Sequence, residues 1–284
     1  ASTAANSVVS ADINWTVTGT SSADSITTGS GADTIVISAG NDVVIGGAGI
    51  DTFSITEALL IANSGTTATI AGGSEADILL VEAAAINIVD ADFRGITSVE
   101  TYKLTSGTSN VVFDANAIAT GIVTVEGGTG NDSISVTNTF ALQADMSGGA
   151  GTDTLTLASG GDVDLSIKTH SGFETIVSGD TNISLAIAQG FFSSGAVTLT
   201  VTSSADTDNA TLTIDAGAVA WEATAETNAS DVDIAGEWHL ADVVDDGVIT
   251  YYNQGTSGVT TLTTTGLDAG AIADPSAGNL VWIA

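Results

Sequence analysis

The side chains with chemistry to offer are carboxylates: 34 of the 284 residues are Asp or Glu, against three Lys or Arg, two His and no Cys. Four aspartates recur at one interval. Asp24, Asp33, Asp42 and Asp51 each stand sixth in the consecutive nonapeptides GTSSADSIT, TGSGADTIV, ISAGNDVVI and GGAGIDTFS, with an apolar residue (Ile26, Ile35, Val44, Phe53) always eighth. Small residues, mostly Gly, Ser or Ala, crowd the first five positions. Gly permits positive φ and leaves backbone carbonyls open in a turn. A carboxylate behind such a turn suits a hard cation, because Ca²⁺ takes six to eight oxygens without demanding strict geometry. The formal charge of −31 points the same way, since so much like charge in a compact state needs bound cations to offset it.

The same pattern returns later. Gly127-Gly-Thr-Gly-Asn-Asp-Ser-Ile-Ser135 carries Asp132, and Gly148-Gly-Ala-Gly-Thr-Asp-Thr-Leu-Thr156 carries Asp153, a spacing slightly longer than two nonapeptides. Gly72-Gly-Ser-Glu-Ala-Asp77 has Glu75 where a third glycine belongs. These blocks resemble the RTX calcium-binding nonapeptide G-G-x-G-x-D-x-U-x, with U apolar, over roughly a quarter of the chain. The resemblance implies half-coils, each a turn followed by a very short strand with U inward. Two half-coils make one turn of the solenoid, so every second nonapeptide stacks: Asp24 on Asp42, and Asp33 on Asp51. It further implies calcium held between coils by Asp24, Asp33, Asp42, Asp51, Asp77, Asp132 and Asp153. The carbonyls of Gly29, Gly31, Gly40, Gly47, Gly49, Gly128, Gly130, Gly149 and Gly151 would complete the shells.

Those turns need short strands to hold them. Thr and Ser are abundant, Gly occurs 33 times and Pro once, which suits strands and tight turns and suits long helices badly. Val197–Thr202, Thr211–Asp215 and Ile134–Val136 alternate with period two; brief helical turns fit Thr56–Ala62 and Asp114–Thr120. The expected class is all-β, a right-handed parallel β-roll or β-helix solenoid with calcium-binding turns.

A longer repeat overlies the short one. Gly72–Leu80 matches Gly148–Thr156, and Ile96-Thr-Ser-Val-Glu-Thr-Tyr102 matches Ser171-Gly-Phe-Glu-Thr-Ile176. Glu100 and Glu174 in that second pair read as charges at a coil edge. The expected organisation is an N-terminal capping strand (1–18), the nonapeptide array (19–54), a continuing solenoid (55–215, with repeats 72–147 and 148–215) and C-terminal coils or cap (216–284). Ala1, with neither Met nor a basic stretch, reads as the start of a processed product or fragment.

Other chemistry is thinly represented. His170 and His239 lack metal-ligand spacing, and neither H-E-x-x-H nor G-x-S-x-G occurs. Paired carboxylates could cleave a glycosidic bond, but only Arg94, Lys103 and Lys168 could offset an anionic polymer. No catalytic residue is assigned, and the expectation is not an enzyme. The sparse aromatics, among them Trp15, Trp221, Trp238, Trp282, Tyr102, Tyr251 and Tyr252, read as core caps rather than a sugar platform. The acidity disfavours nucleic acid, and no apolar run reaches the roughly 18 residues of a membrane span.

The resemblance extends to type-I-secreted bacterial S-layer proteins and RTX adhesins. It implies an extracellular, calcium-folded subunit of a surface assembly, an S-layer, filament or adhesin segment, that self-associates through solenoid ends. A carbohydrate-binding or carbohydrate-processing solenoid that meets cell-surface polysaccharide is the alternative.

Overall fold

A computed structural model describes residues 5–7, 13–63, 67–82, 85–105, 107–158, 163–178, 184–188, 197–203, 209–215, 221–224, 238–243, 248–254, 258–266 and 281–283. Two compact units, 1–134 and 135–284, divide the chain.

In the first unit, strands alternate between two parallel sheets. One contains β1 (Ala5–Ser7), β3 (Ser25–Thr27), β5 (Val43–Ala48), β7 (Thr69–Ser74) and β10 (Ile96–Thr97). The other contains β2 (Thr16–Thr18), β4 (Thr34–Val36), β6 (Thr52–Thr56), β8 (Ile78–Glu82), β11 (Thr101–Leu104) and β13 (Thr124–Glu126). A further parallel pair joins β9 (Ala85–Ile88) to β12 (Thr108–Phe113). Register makes the coil lengths explicit. Ser25 stands beside Val43 and Thr34 beside Thr52, the two-nonapeptide coil that the repeats imply. Thr52 then pairs with Ile78, across a much longer coil, and Ile78 with Thr101, across one of intermediate length.

The eighth nonapeptide residue points inward, as the alternation requires. Ile26, Val44, Ile70 and Ile96 form one buried column; Ile35, Phe53, Leu79, Tyr102 and Val125 form the other. Each such side chain contributes about 1.5–3 kcal/mol of burial. The longer coils hold helical inserts, α1 (Glu57–Asn63), a 3-10 turn at Asp90–Phe93, and α2 (Ala115–Thr120). Phe93, Tyr102 and Phe113 fill the widened core, with ring centroids 5.1–5.7 Å apart.

After β14 (Ser133–Val136) and the short α3 (Asn138–Ala141), the second unit continues with the same logic. β15 (Asp145–Ser147) pairs in parallel with β18 (His170–Ser171). β16 (Thr154–Leu157), β19 (Thr175–Ser178) and β21 (Val197–Ser203) form a parallel series. So do β17 (Val163–Asp164), β20 (Ser184–Ala188) and β22 (Asn209–Asp215). Then the direction changes. β23 (Trp221–Thr224), β24 (Trp238–Val243), β25 (Val248–Gln254), β26 (Gly258–Gly266) and β27 (Val281–Ile283) pair antiparallel, with β26 lying against β21 and β25 against β22. Among the described residues, 216–284 thus adds no parallel coil. Antiparallel neighbours can be joined by short hairpins, so this segment needs no crossover through an acidic turn. The expected terminal edges lie partly outside the described residues, which omit 8–12, 279, 280 and 284.

Candidate metal centre

Every repeat aspartate is buried in the turn just before its strand: Asp24, Asp33, Asp42, Asp51, Asp77, Asp132 and Asp153 are each at most 3% exposed. Stacked coils put five of these carboxylates beside the backbone of the coil before. The Asp24 N–H donates to Asp42 Oδ1 (2.9 Å), Asp33 N–H to Asp51 Oδ1 (2.8 Å), and Asp51 N–H to Asp77 Oδ1 (2.7 Å). Trp15 N–H donates to Asp33 Oδ1 in the same way (2.7 Å), and Ser109 N–H to Asp132 Oδ1 (2.9 Å). One oxygen of each of these carboxylates therefore holds the coils in register.

The second oxygen has a different environment. Oδ2 of Asp33, Asp42, Asp51 and Asp77 is buried without a hydrogen-bond partner, a costly state for an ionised carboxylate in the absence of a counter-charge. At two turns its surroundings are defined by glycine. A Cβ on Gly46 would collide with Asp51 Oδ2 and lie 2.7 Å from the Gly72 carbonyl oxygen. A Cβ on Gly72 would collide with Asp77 Oδ2 and the Ser98 carbonyl oxygen. A buried carboxylate oxygen and a carbonyl from the next coil thus lie close together against a glycine, where any side chain would push them apart. These are the oxygens a hard cation takes. Among the described residues no three Asp, Glu, His or Cys side chains gather in ligating geometry, so backbone carbonyls must supply most of any shell.

The electrostatics carry the same message. Burial raises the Asp42 carboxyl, with the neighbouring Asp24 charge adding to it and the Asp24 and Ser38 N–H groups opposing. Burial pushes Asp51 and Asp77 up to about 6, with help from the charges of Asp33 and Glu75 on the first, and of Asp51, Glu100 and Glu75 on the second. Burial also raises Asp132, against the hydrogen bonds from Ser109.

Asp24 differs. Its carboxylate accepts from Thr20 N–H (2.5 Å) and the Thr20 hydroxyl (3.0 Å) inside its own turn. Asp132 and Asp153 fall in separate units.

Among the glycines assigned to the shells, Gly40, Gly47, Gly49, Gly128, Gly130, Gly149 and Gly151 have positive φ. Gly29 and Gly31 do not, but their carbonyls face the next turn. Gly29 accepts from Ala48 N–H (2.8 Å), and the Gly31 carbonyl oxygen occupies the place a Cβ on Gly49 would need.

Two acidic residues read as coil-edge charges belong to the ladder. Asp77 N–H donates to Glu100 Oε2 (2.9 Å), and Asp153 N–H to Glu174 Oε2 (2.7 Å). Their shared setting, Ser98-Val-Glu-Thr and Gly172-Phe-Glu-Thr behind a G-G-x-x-x-D turn, was the available signal. Glu75, at φ 74°, accepts from Gly49 N–H (2.7 Å) and so bridges two turns. His170 is buried with Nδ1 3.0 Å from the Leu165 carbonyl, and burial lowers its pKa, as befits a packed imidazole.

Parallel coils with buried aspartates in glycine turns are the architecture of a β-roll. The RTX calcium-binding nonapeptide repeat matches the chain in four copies, over residues 18–53, 121–136 and 146–164, so these segments are RTX repeats. No curated protein and no solved structure matches the chain.

Proposed function

We propose that this chain is an extracellular structural protein folded by calcium, a subunit of a bacterial surface assembly such as an S-layer, a filament or an adhesin segment. The observation that carries the reading is the stacking of buried aspartates with unpartnered Oδ2 atoms, at 33, 51 and 77 in one column and at 42 in the other. Such a column is self-repelling without cations and cohesive with them. Calcium is plentiful outside cells and scarce in the cytosol, so the chain would stay unfolded until exported, by the type I route that the RTX resemblance implies.

Assembly through ends has its own support. Val281–Ile283 is the outermost strand of its sheet, paired among the described residues only through β23, and carries Val, Trp and Ile with no charge. An apolar edge of that kind is a template for another chain. Electron microscopy of the purified protein, in calcium and then in chelator, tests the reading. Ordered arrays or filaments that dissolve on chelation are expected. Monodisperse single particles at high concentration in calcium would send the interpretation to the carbohydrate-binding alternative.

A further inference from the structure

The calcium turns meet two coils that contain no nonapeptide. Residues 98–100 and 172–174 lie outside every segment matched by the repeat family, yet each forms the turn stacked on a G-G-x-x-x-D block. In the first unit, Ser98 adopts φ 51°, a rare conformation for a residue with a Cβ. Its carbonyl oxygen and Asp77 Oδ2 both lie against the side of Gly72 where a Cβ would stand. Asp77 is fully buried, and that oxygen has no donor. In the second unit, Gly172 has φ 66° and its carbonyl oxygen occupies the place a Cβ on Gly148 would need, with Asp153 Oδ2 2.8 Å from the same point. Two residues on, Glu100 and Glu174 accept the N–H of Asp77 and Asp153.

We infer that these two turns are the closing halves of two further divalent-cation sites, one joining Asp77 to the Ser98 carbonyl and the other joining Asp153 to the Gly172 carbonyl. The inference rests on the calcium reading above and extends it to residues that no repeat motif marks. Labour is divided within each closing turn. The positive-φ residue supplies a carbonyl ligand, while the glutamate two places on takes the backbone N–H that a following aspartate would otherwise take. The glutamate is a positioning residue that ends the hydrogen-bonded ladder; in the first turn this leaves Asp77 Oδ2 to the ion. A turn of this kind lets a calcium array finish against an ordinary coil without leaving a buried carboxylate exposed to its own charge.

Isothermal titration of the full chain with CaCl₂, after chelator treatment, tests this on wild type, Asp77→Asn and Gly148→Ala. The asparagine keeps Oδ1 as acceptor for the Asp51 N–H and turns an amide donor toward the Ser98 carbonyl. Asp77→Asn should therefore bind one ion fewer than wild type, yet fold at a calcium concentration no higher than wild type requires. Gly148→Ala pushes a methyl group against the Gly172 carbonyl oxygen and Asp153 Oδ2 and should also lose one ion. Should it fail to fold by circular dichroism, Asp153→Asn takes its place with the same expected loss. Wild type that binds no calcium would overturn the calcium reading itself. Wild type that binds calcium, with full stoichiometry retained in the variants, would overturn only the closing turns.

Discussion

The coils of 19–54 and those of 55–126 belong to the same unit but solve the inter-coil problem differently. In the short coils both turns are acidic, with Asp24 beneath Asp42 on one side and Asp33 beneath Asp51 on the other. In the longer coils only one side stays acidic, through Asp77 to Glu100. On the other side the residue stacked beyond Asp42 is Ala68, and the coil is filled by α1, the 3-10 turn and α2. There the cross-coil link is Asp90, which accepts from Asp114 N–H (2.8 Å), Asn116 N–H (3.0 Å), Asn116 Nδ2 (2.6 Å) and Ala117 N–H (3.0 Å), capping the next coil's helix. A carboxylate given several donors needs no metal, whereas one given a single donor leaves an oxygen for a cation.

The largest effect should come from the acidic side of the short coils. Asp51→Ala leaves the buried Asp33 N–H without an acceptor, which costs about 1–3 kcal/mol, and removes a proposed calcium ligand besides. Urea denaturation should show a larger loss in excess calcium than at the lowest calcium that still folds the wild type. Equal losses in the two conditions would mean that Asp51 serves only the hydrogen bond. In a nearest-neighbour solenoid the damage stays local, so hydrogen exchange should accelerate at β4 and β6 before β13.

Asp90→Ala should cost about 1–2 kcal/mol, the range of a lost helix cap, and the same amount at saturating as at limiting calcium. Although burial raises this carboxyl, the N–H groups of Ala117 and Asn116, the Asn116 amide and the Asp114 N–H outweigh it and hold the pKa below its ordinary value. Its stabilisation is therefore present at neutral pH and lost as pH falls through the acid range. A calcium-dependent cost would erase the contrast between the two regions.

The buried aspartates should show the opposite pH sign. A carboxyl at about 6 in the folded state, above its unfolded value near 4, takes up a proton on folding. Without calcium, stability should therefore rise as pH drops from 7 toward 4. With calcium, protons compete for the same oxygens, so affinity should fall below about pH 6. Titrations at pH 5 and 7.5 read both.

The smallest effect belongs to the half-exposed Lys103–Glu126 pair, where Lys103→Ala should change stability by less than about 1 kcal/mol.

The regular side of this comparison was legible in the sequence and the irregular side only partly. The RTX resemblance of a period of nine with fixed Asp and apolar positions implies that every second nonapeptide stacks, and the two inward columns follow from it. The turns near Thr56–Ala62 and Asp114–Thr120 also appear, as α1 and α2. Glu100 was not legible as a ladder member, because the coil from Asp77 to Glu100 is shorter than the one before it and the residue changes from Asp to Glu. The longer side chain keeps the same backbone N–H in reach. Asp90 gave no signal, since its partners lie one coil on, in a helix that has no side-chain cap of its own. Nor could the reversal after β22 be read, because Val-Thr-Leu-Thr alternation is the same in parallel and antiparallel strands.

The central claim is that calcium, not apolar burial alone, holds the acidic coils together. Far-UV circular dichroism of the full chain during chelator titration tests it most directly. The account predicts loss of the β spectrum as calcium is withdrawn and its return on adding calcium back. A β spectrum unchanged in excess chelator would contradict it.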